Sequence, residues 1–193
     1  MAPGDRTQVL SGWERRADSA HMTSTAWVLV DLQVGLLTGA LAELAQRTAD
    51  AVQNIGGDVW AVVQQNPKTG PLTVLRGWTG CAGAGDDALL EPLAAVVSAV
   101  ATKTGYGTAT SLDLGQLRTY RRVLVCGADT DACVLGVALG LFDAGVPVEV
   151  VTDLCLSAAG PQAHQAGLVV LRRQLGAARM TTVPELMGAR RRP

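Results

Sequence analysis

The stretch that decides the fold is "VLVCGADTDACVLGVALGLFDAGV", Val123 to Val146. Its start is a continuous apolar run, the pattern of a strand covered on both faces. The polar turn "GADTDA" interrupts the run, and an apolar segment of helical length follows, stopped by Gly145. A strand, a tight turn and a helix in this order form one half of an α/β unit. The turn also sets two thiols, Cys126 and Cys133, seven positions apart.

The same alternation extends in both directions. Upstream, "AWVLVD" reads as a strand ending in Asp31, and "LAELAQRTADAVQNI" as a helix stopped by Gly56-Gly57. "DVWAVVQ" is a second strand. Asn66 to Gly85, rich in Gly, Pro and Thr, reads as a long loop. "DDALLEPLAAVV" is expected as a short helix interrupted by Pro92, and "SAVATK" as a strand ending in Lys103. "SLDLGQLRTY" is expected as a helix capped by Ser111. Downstream, "VPVEVVTD" is a strand and "PQAHQAGLVVLRRQLGA" a helix with Pro161 at its start. "ARMTTV" and "PELMG" supply a last strand and a turn. Val-rich runs alternating with helices predict a three-layer α/β/α fold, Rossmann-like, with a mainly parallel sheet. Residues 1–25 read as a tail and 26–193 as one domain.

Bulk composition narrows the function. The chain has 193 residues, 48% hydrophobic and 17% charged, which suits one globular domain with a full core. A net charge of −1 leaves no footprint for nucleic acid or for an anionic membrane; the terminal "GARRRP" reads as a solvated basic tail. No apolar run reaches transmembrane length, and none resembles a secretory signal, so a cytoplasmic location with reduced thiols is expected. The four cysteines show no C-x-x-C spacing, and the two histidines, His21 and His164, lie far apart. No zinc site and no cofactor are expected. "GCAGAGDD" offers glycines, but it does not follow an apolar strand as a dinucleotide fingerprint requires.

In open α/β sheets, ligands bind beyond the carboxyl ends of the strands. Three residues of different chemistry fall there. Asp31 ends the first strand, Lys103 ends the third, and Cys133 lies just past the fourth. Placed in the first turn of a helix, Cys133 is expected to be favoured as a thiolate by the helix dipole and by Lys103. Asp31 is placed to take the thiol proton and return it to a leaving amine. N–H groups of the turn are placed to hold an oxyanion. Cys126, inside its strand, reads as packing; Cys155 follows Asp153 toward the same edge; Cys81 reads as pocket-lining or exposed.

These residues also carry a resemblance. "VLVDLQVGLL", "ATKTGYGT" and "CGADTDACVLGVALGLFDAGVPVEVVTD" resemble the three sequence blocks of the isochorismatase-like cysteine hydrolases. That superfamily includes nicotinamidases, N-carbamoylsarcosine amidases, ureidoacrylate and biuret hydrolases, and streptothricin hydrolase. The resemblance spans Ala26 to Val183 and implies a catalytic triad of Asp31, Lys103 and Cys133. It also implies a cis peptide between Ala128 and Asp129, which aims the Asp129 and Cys133 amides into an oxyanion hole. Gln33, Tyr106 and Thr130 become candidate substrate-binding residues, and His164 matches a histidine that often opens the next helix. A homodimer or homotetramer acting on a small molecule is implied. Nicotinamidases carry a metal-binding Asp and two His after the second strand. Here "VVQQNPKTG" stands there, so no metal and no nicotinamidase activity are expected. The expected reaction is hydrolysis of a C–N bond in a small amide, lactam or ureido compound through an acyl-enzyme on Cys133. A streptothricin-type lactam hydrolase and a non-catalytic ligand-binding member of the family are the alternatives.

Overall fold

The computed structural model describes residues 25–107 and 111–189. The predicted tail up to residue 24 and the arginines from residue 190 onward lie outside the described residues. Thr25, at the boundary, is buried; its carbonyl accepts from the Asp58 N–H and its Oγ1 from Arg122 Nε.

Six strands form one sheet: β1 Ala26–Val30, β2 Asp58–Gln64, β3 Ala99–Lys103, β4 Val123–Ala128, β5 Val148–Leu156 and β6 Met180–Thr181. Their order is β3-β2-β1-β4-β5-β6 and every pairing within the sheet is parallel. The Val-rich runs are buried along their whole length in β1 and β4, as strands covered on both faces must be. α1 (Gly39–Ile55) and α6 (Val183–Ala189) pack together and against β5. α4 (Cys133–Asp143) and α5 (Pro161–Leu175) pack together and against β4 and β5. Two short helices, α2 (Pro71–Val74) and α3 (Leu114–Leu117), sit in the connections.

The strand order reverses between β1 and β4, the adjacent pair at the centre of the sheet. A crevice outside the carboxyl ends at such a switch is where α/β sheets bind ligands. Gly127 lets the two strands meet there. It has φ 127°, and a Cβ at that position would stand 2.1 Å from Val30 O. Only glycine meets both conditions.

Three local expectations are corrected. "DDALLEPLAAVV" forms no α-helix but a single 3₁₀ turn, Leu93–Ala95. Pro92 has no N–H to donate and bars Glu91 from helical conformations. The helix in "SLDLGQLRTY" shrinks to α3, and its cap is Asp113, whose carboxylate accepts from Gln116 N at 2.9 Å. Ser111 Oγ instead accepts from Thr102 N at 3.3 Å. "PELMG" belongs to the helix α6 rather than to a turn. Thr182 and Glu185 form a reciprocal cap: Thr182 N donates to Glu185 Oε2 at 2.8 Å and Glu185 N to Thr182 Oγ1 at 3.4 Å. Among the described residues no helix is long and apolar enough to cross a membrane.

Candidate active site

Asp31, Lys103 and Cys133 converge at the switch point. Asp31 leaves β1 with φ 55°, a left-handed conformation that Asp tolerates better than most residues. Its N–H is held by Val62 O at 2.8 Å. Lys103 is the last residue of β3 and pairs in register with Gln64 at the end of β2. Cys133 opens α4.

The Lys103 ammonium is only 4% exposed as a residue, and its three donors have three acceptors. Nζ lies 2.8 Å from Asp31 Oδ2, 2.7 Å from Gln64 Oε1 and 3.2 Å from Cys133 Sγ. A buried ammonium would otherwise be costly, so this satisfaction is what allows it to sit there. Asp31 Oδ1 is buried too, and no donor reaches it among the described residues.

Electrostatics correct one expectation. Burial, followed by the Asp31 charge, pushes the Cys133 thiol up to about 12, against an opposing pull from Lys103. Burial also raises the Asp31 carboxyl, although Lys103 pulls it down. The resting group is therefore a thiol and not the thiolate that helix dipole and lysine suggested. Lys103 is already neutralised by Asp31, and loss of water is the largest influence on the thiol.

The turn between β4 and α4 has its own hydrogen-bond plan. The Ala128–Asp129 peptide is cis. The N–H groups of Ala132 and Val134 turn back to Asp129 O, and that of Thr130 goes to Leu156 O. The Cys133 N–H takes part in none of these bonds and, at a helix start, has no intrahelical acceptor. α5 buttresses the turn from behind. Gly167 lies so close that a Cβ there would be 2.8 Å from the Asp131 backbone, and His164 Nδ1 is 2.8 Å from Thr130 Oγ1.

Cys133 faces a cavity of about 320 Å³ lined by Asp31, Gln64, Arg76, Trp78, Tyr106 and Asp129, among others. Tyr106, as expected of a pocket residue, lines it and is 41% exposed. Gln33 and Thr130 are not among the residues that line it. Gln33 is fully buried; its amide donates to Gln64 O and Asp86 O, both at 2.9 Å, and accepts from Gln64 N at 2.6 Å. It clasps the ends of β1 and β2 to the following loop. Thr130 points the other way from Asp129 and Asp131, into the contact with His164.

Two lining residues, Gln64 and Arg76, come from the segment Gln64 to Gly85, which was expected to line the pocket without either being singled out. Gln64 ends β2 at the same sheet edge as Lys103, so the strand-end filter was able to find it. Arg76 lies in an aperiodic loop that carried no signal; its guanidinium stands 5.9 Å above the Tyr106 ring. Trp60 of β2 is buried in the core, edge-to-face with Tyr120. Cys126 is buried in β4, and Cys155 is buried with its thiol pushed up to about 12. Cys81 is buried against a separate cavity, with Gln65, Asn66 and Asp87.

The segment after β2, where nicotinamidases carry metal ligands, does not fit a metal. Gln64 Oε1 is held by Lys103. Asn66 spends its amide on Trp78 O and Gly80 O and accepts from Thr73. Neutral amides so engaged make poor ligands. Among the described residues no group of three His, Cys, Asp or Glu is placed to hold an ion.

Comparisons with known proteins agree with this architecture. A pyrazinamidase/nicotinamidase from Streptococcus mutans UA159 superposes with a TM-score of 0.62 at 22% identity, covering 82% of this chain and 99% of its own. A cysteine hydrolase from Pseudomonas syringae pv. phaseolicola 1448A gives 0.66 at 20% identity, covering 85% and 91%. At such identities the likeness is one of fold. Isochorismatase domain-containing protein 2 of Bos taurus is 54% identical over 37 residues, 19% of this chain and 18% of that protein. Its counterpart in Rattus norvegicus is 39% identical over 61 residues, 32% and 27%. These matches span less than a third of either relative. The isochorismatase domain model itself matches residues 25–184, nearly all of the described fold with the Asp31–Lys103–Cys133 edge inside it, and the chain belongs to the isochorismatase family.

Proposed function

We propose that the protein is a cysteine-dependent hydrolase that cleaves a C–N bond in a small amide, lactam or ureido substrate. The observation that supports this most directly is the Lys103 ammonium bridging Asp31 and Cys133, both of which line one cavity. Cys133 Sγ attacks the carbonyl carbon while Asp31 takes the thiol proton, for which Oδ1 is the unoccupied acceptor. Lys103 donates to sulfur as negative charge develops on it. The Asp129 and Cys133 N–H groups hold the carbonyl oxygen as it becomes an oxyanion. Asp31 then passes the proton to the leaving nitrogen, the C–N bond breaks, and the acyl group remains on sulfur as a thioester. Water, deprotonated by Asp31, attacks the thioester; the acid leaves and the thiol regains its proton.

The test is a screen of small amides, lactams and ureido compounds for ammonia or amine release, with Cys133→Ala as control. Release by the wild type and none by the variant is expected. Turnover retained by Cys133→Ala overturns the mechanism.

A further inference from the structure

The cavity at Cys133 does not end there. A second cavity of about 310 Å³ has a mostly apolar wall that includes Leu41, Ala128 and Leu156, and it shares Leu36, Asp129 and Ala158 with the first. Asp129 thus stands where the two chambers meet. Its carboxylate is fixed in direction, because Oδ1 accepts from Ala158 N at 2.7 Å. Oδ2 has no recorded hydrogen bond.

The charges around it do not balance. Asp31 and Lys103 cancel each other and form the one ion pair recorded among the described residues. Asp129 and Asp131 both line the catalytic cavity, and Arg76 is the remaining cation of its wall. Arg76 lies over Tyr106 and not on either carboxylate. Two carboxylates against one guanidinium leave the chamber net negative, and low-dielectric walls concentrate that field. Burial, with a contribution from Asp131, raises the Asp129 carboxyl, against a downward pull from the Ala158 N–H, Arg76 and Lys103. A cation arriving beside it therefore relieves an existing penalty rather than creating one. Trp78 and Tyr106 supply ring faces, which also favour cations.

We propose that Asp129 is a specificity-determining residue that selects amides carrying a cationic nitrogen. The carboxylate receives that group at the junction, and the apolar chamber takes the hydrocarbon part. This deepens the hydrolase reading of the Cys133 site and rests on it.

Three matched kinds of amide test the proposal. 3-Aminopropanamide and 5-aminopentanamide are cationic; butanamide and hexanamide are their neutral counterparts; the monoamide of glutaric acid is anionic. Dissociation constants are measured by calorimetry on Cys133→Ala, and kcat/KM on the wild type. The cationic member of each pair is expected to bind about tenfold tighter or more than its neutral counterpart. Asp129→Asn in the Cys133→Ala background keeps an acceptor for Ala158 and is expected to bring the ratio to within about twofold of one. Equal or tighter binding of the neutral or anionic amides overturns the proposal. So does a ratio unchanged by Asp129→Asn, or no binding of any amide. Hydrolysis without charge preference sinks the specificity alone. Charge-selective binding without hydrolysis by the wild type upholds the specificity and counts against the hydrolase reading.

Discussion

Replacing Asp31 by Asn gives two readouts that move in opposite directions. In the wild type, burial and the Asp31 charge push the Cys133 thiol up to about 12, so at pH 8 it is almost wholly protonated. The substitution removes the carboxylate but keeps the shape. Lys103, 3.2 Å from Sγ, then loses its ion-pair partner and its charge acts more fully on the sulfur. A unit charge lost about 4 Å away changes the balance by about 4 kcal/mol at an effective dielectric near 20, roughly a thousandfold in thiolate population. Nucleophilicity falls as basicity falls, which returns roughly thirtyfold of that gain and leaves about a thirtyfold net increase in reactivity.

The assay is alkylation with iodoacetamide at pH 8, quantified by mass spectrometry of the Cys133 peptide, with buried Cys126 as internal reference. The Asp31→Asn protein is expected to be alkylated at Cys133 roughly thirtyfold faster than wild type. Turnover should be lost, because nothing remains to carry the proton to the leaving nitrogen. Unchanged or slower alkylation would falsify the claim that Asp31 holds the thiol protonated. Retained turnover would remove Asp31 from the proton path.

Further expectations concern pH, positioning and folding. Asp31 acts as a base, so kcat/KM should fall as pH drops through its raised pKa, above the ordinary carboxylate value of 3.8. A flat profile across pH 4–7 would refute that assignment. Gln64→Leu deletes the acceptor that holds Lys103 at 2.7 Å; kcat should drop about tenfold or more with KM little changed, and a change confined to KM would assign Gln64 to substrate contact instead. Gly127→Ala places a Cβ against Val30 O at φ 127° and should cost about 3 kcal/mol or more in urea unfolding. A loss under about 1 kcal/mol would mean that β1 and β4 separate easily at the switch point.

The three chemical residues were legible because the sheet edge is a strong filter. An apolar run that ends in Asp or Lys, or passes through a tight turn into a helix, names its own terminal residue. β1, β3 and β4 do so for Asp31, Lys103 and Cys133. The same logic reaches Gln64, which ends β2 opposite Lys103. It does not reach Arg76, since the loop from Asn66 to Gly85 has no period to place a side chain. Nor does it give side-chain direction: Gln33 and Thr130 sit in the expected segments but turn into the clasp and the α5 contact. The cap of α6 was readable in "TVPE", where Thr182 and Glu185 have capping-box spacing.

The state of the thiol is the part that sequence could not supply. Sequence indicates which charges approach Cys133, but desolvation depends on how completely β1, β3 and α4 close over it. Here that loss of water, together with the Asp31 charge, outweighs the pull of the lysine. The consequence for mechanism is specific. In the proposed mechanism the proton therefore moves as sulfur attacks, since Lys103 is already paired with Asp31. Asp31 Oδ1, buried and without a donor, is the acceptor the fold leaves open for that step. On that proposal the buried pair keeps the Cys133 thiol protonated until a carbonyl arrives.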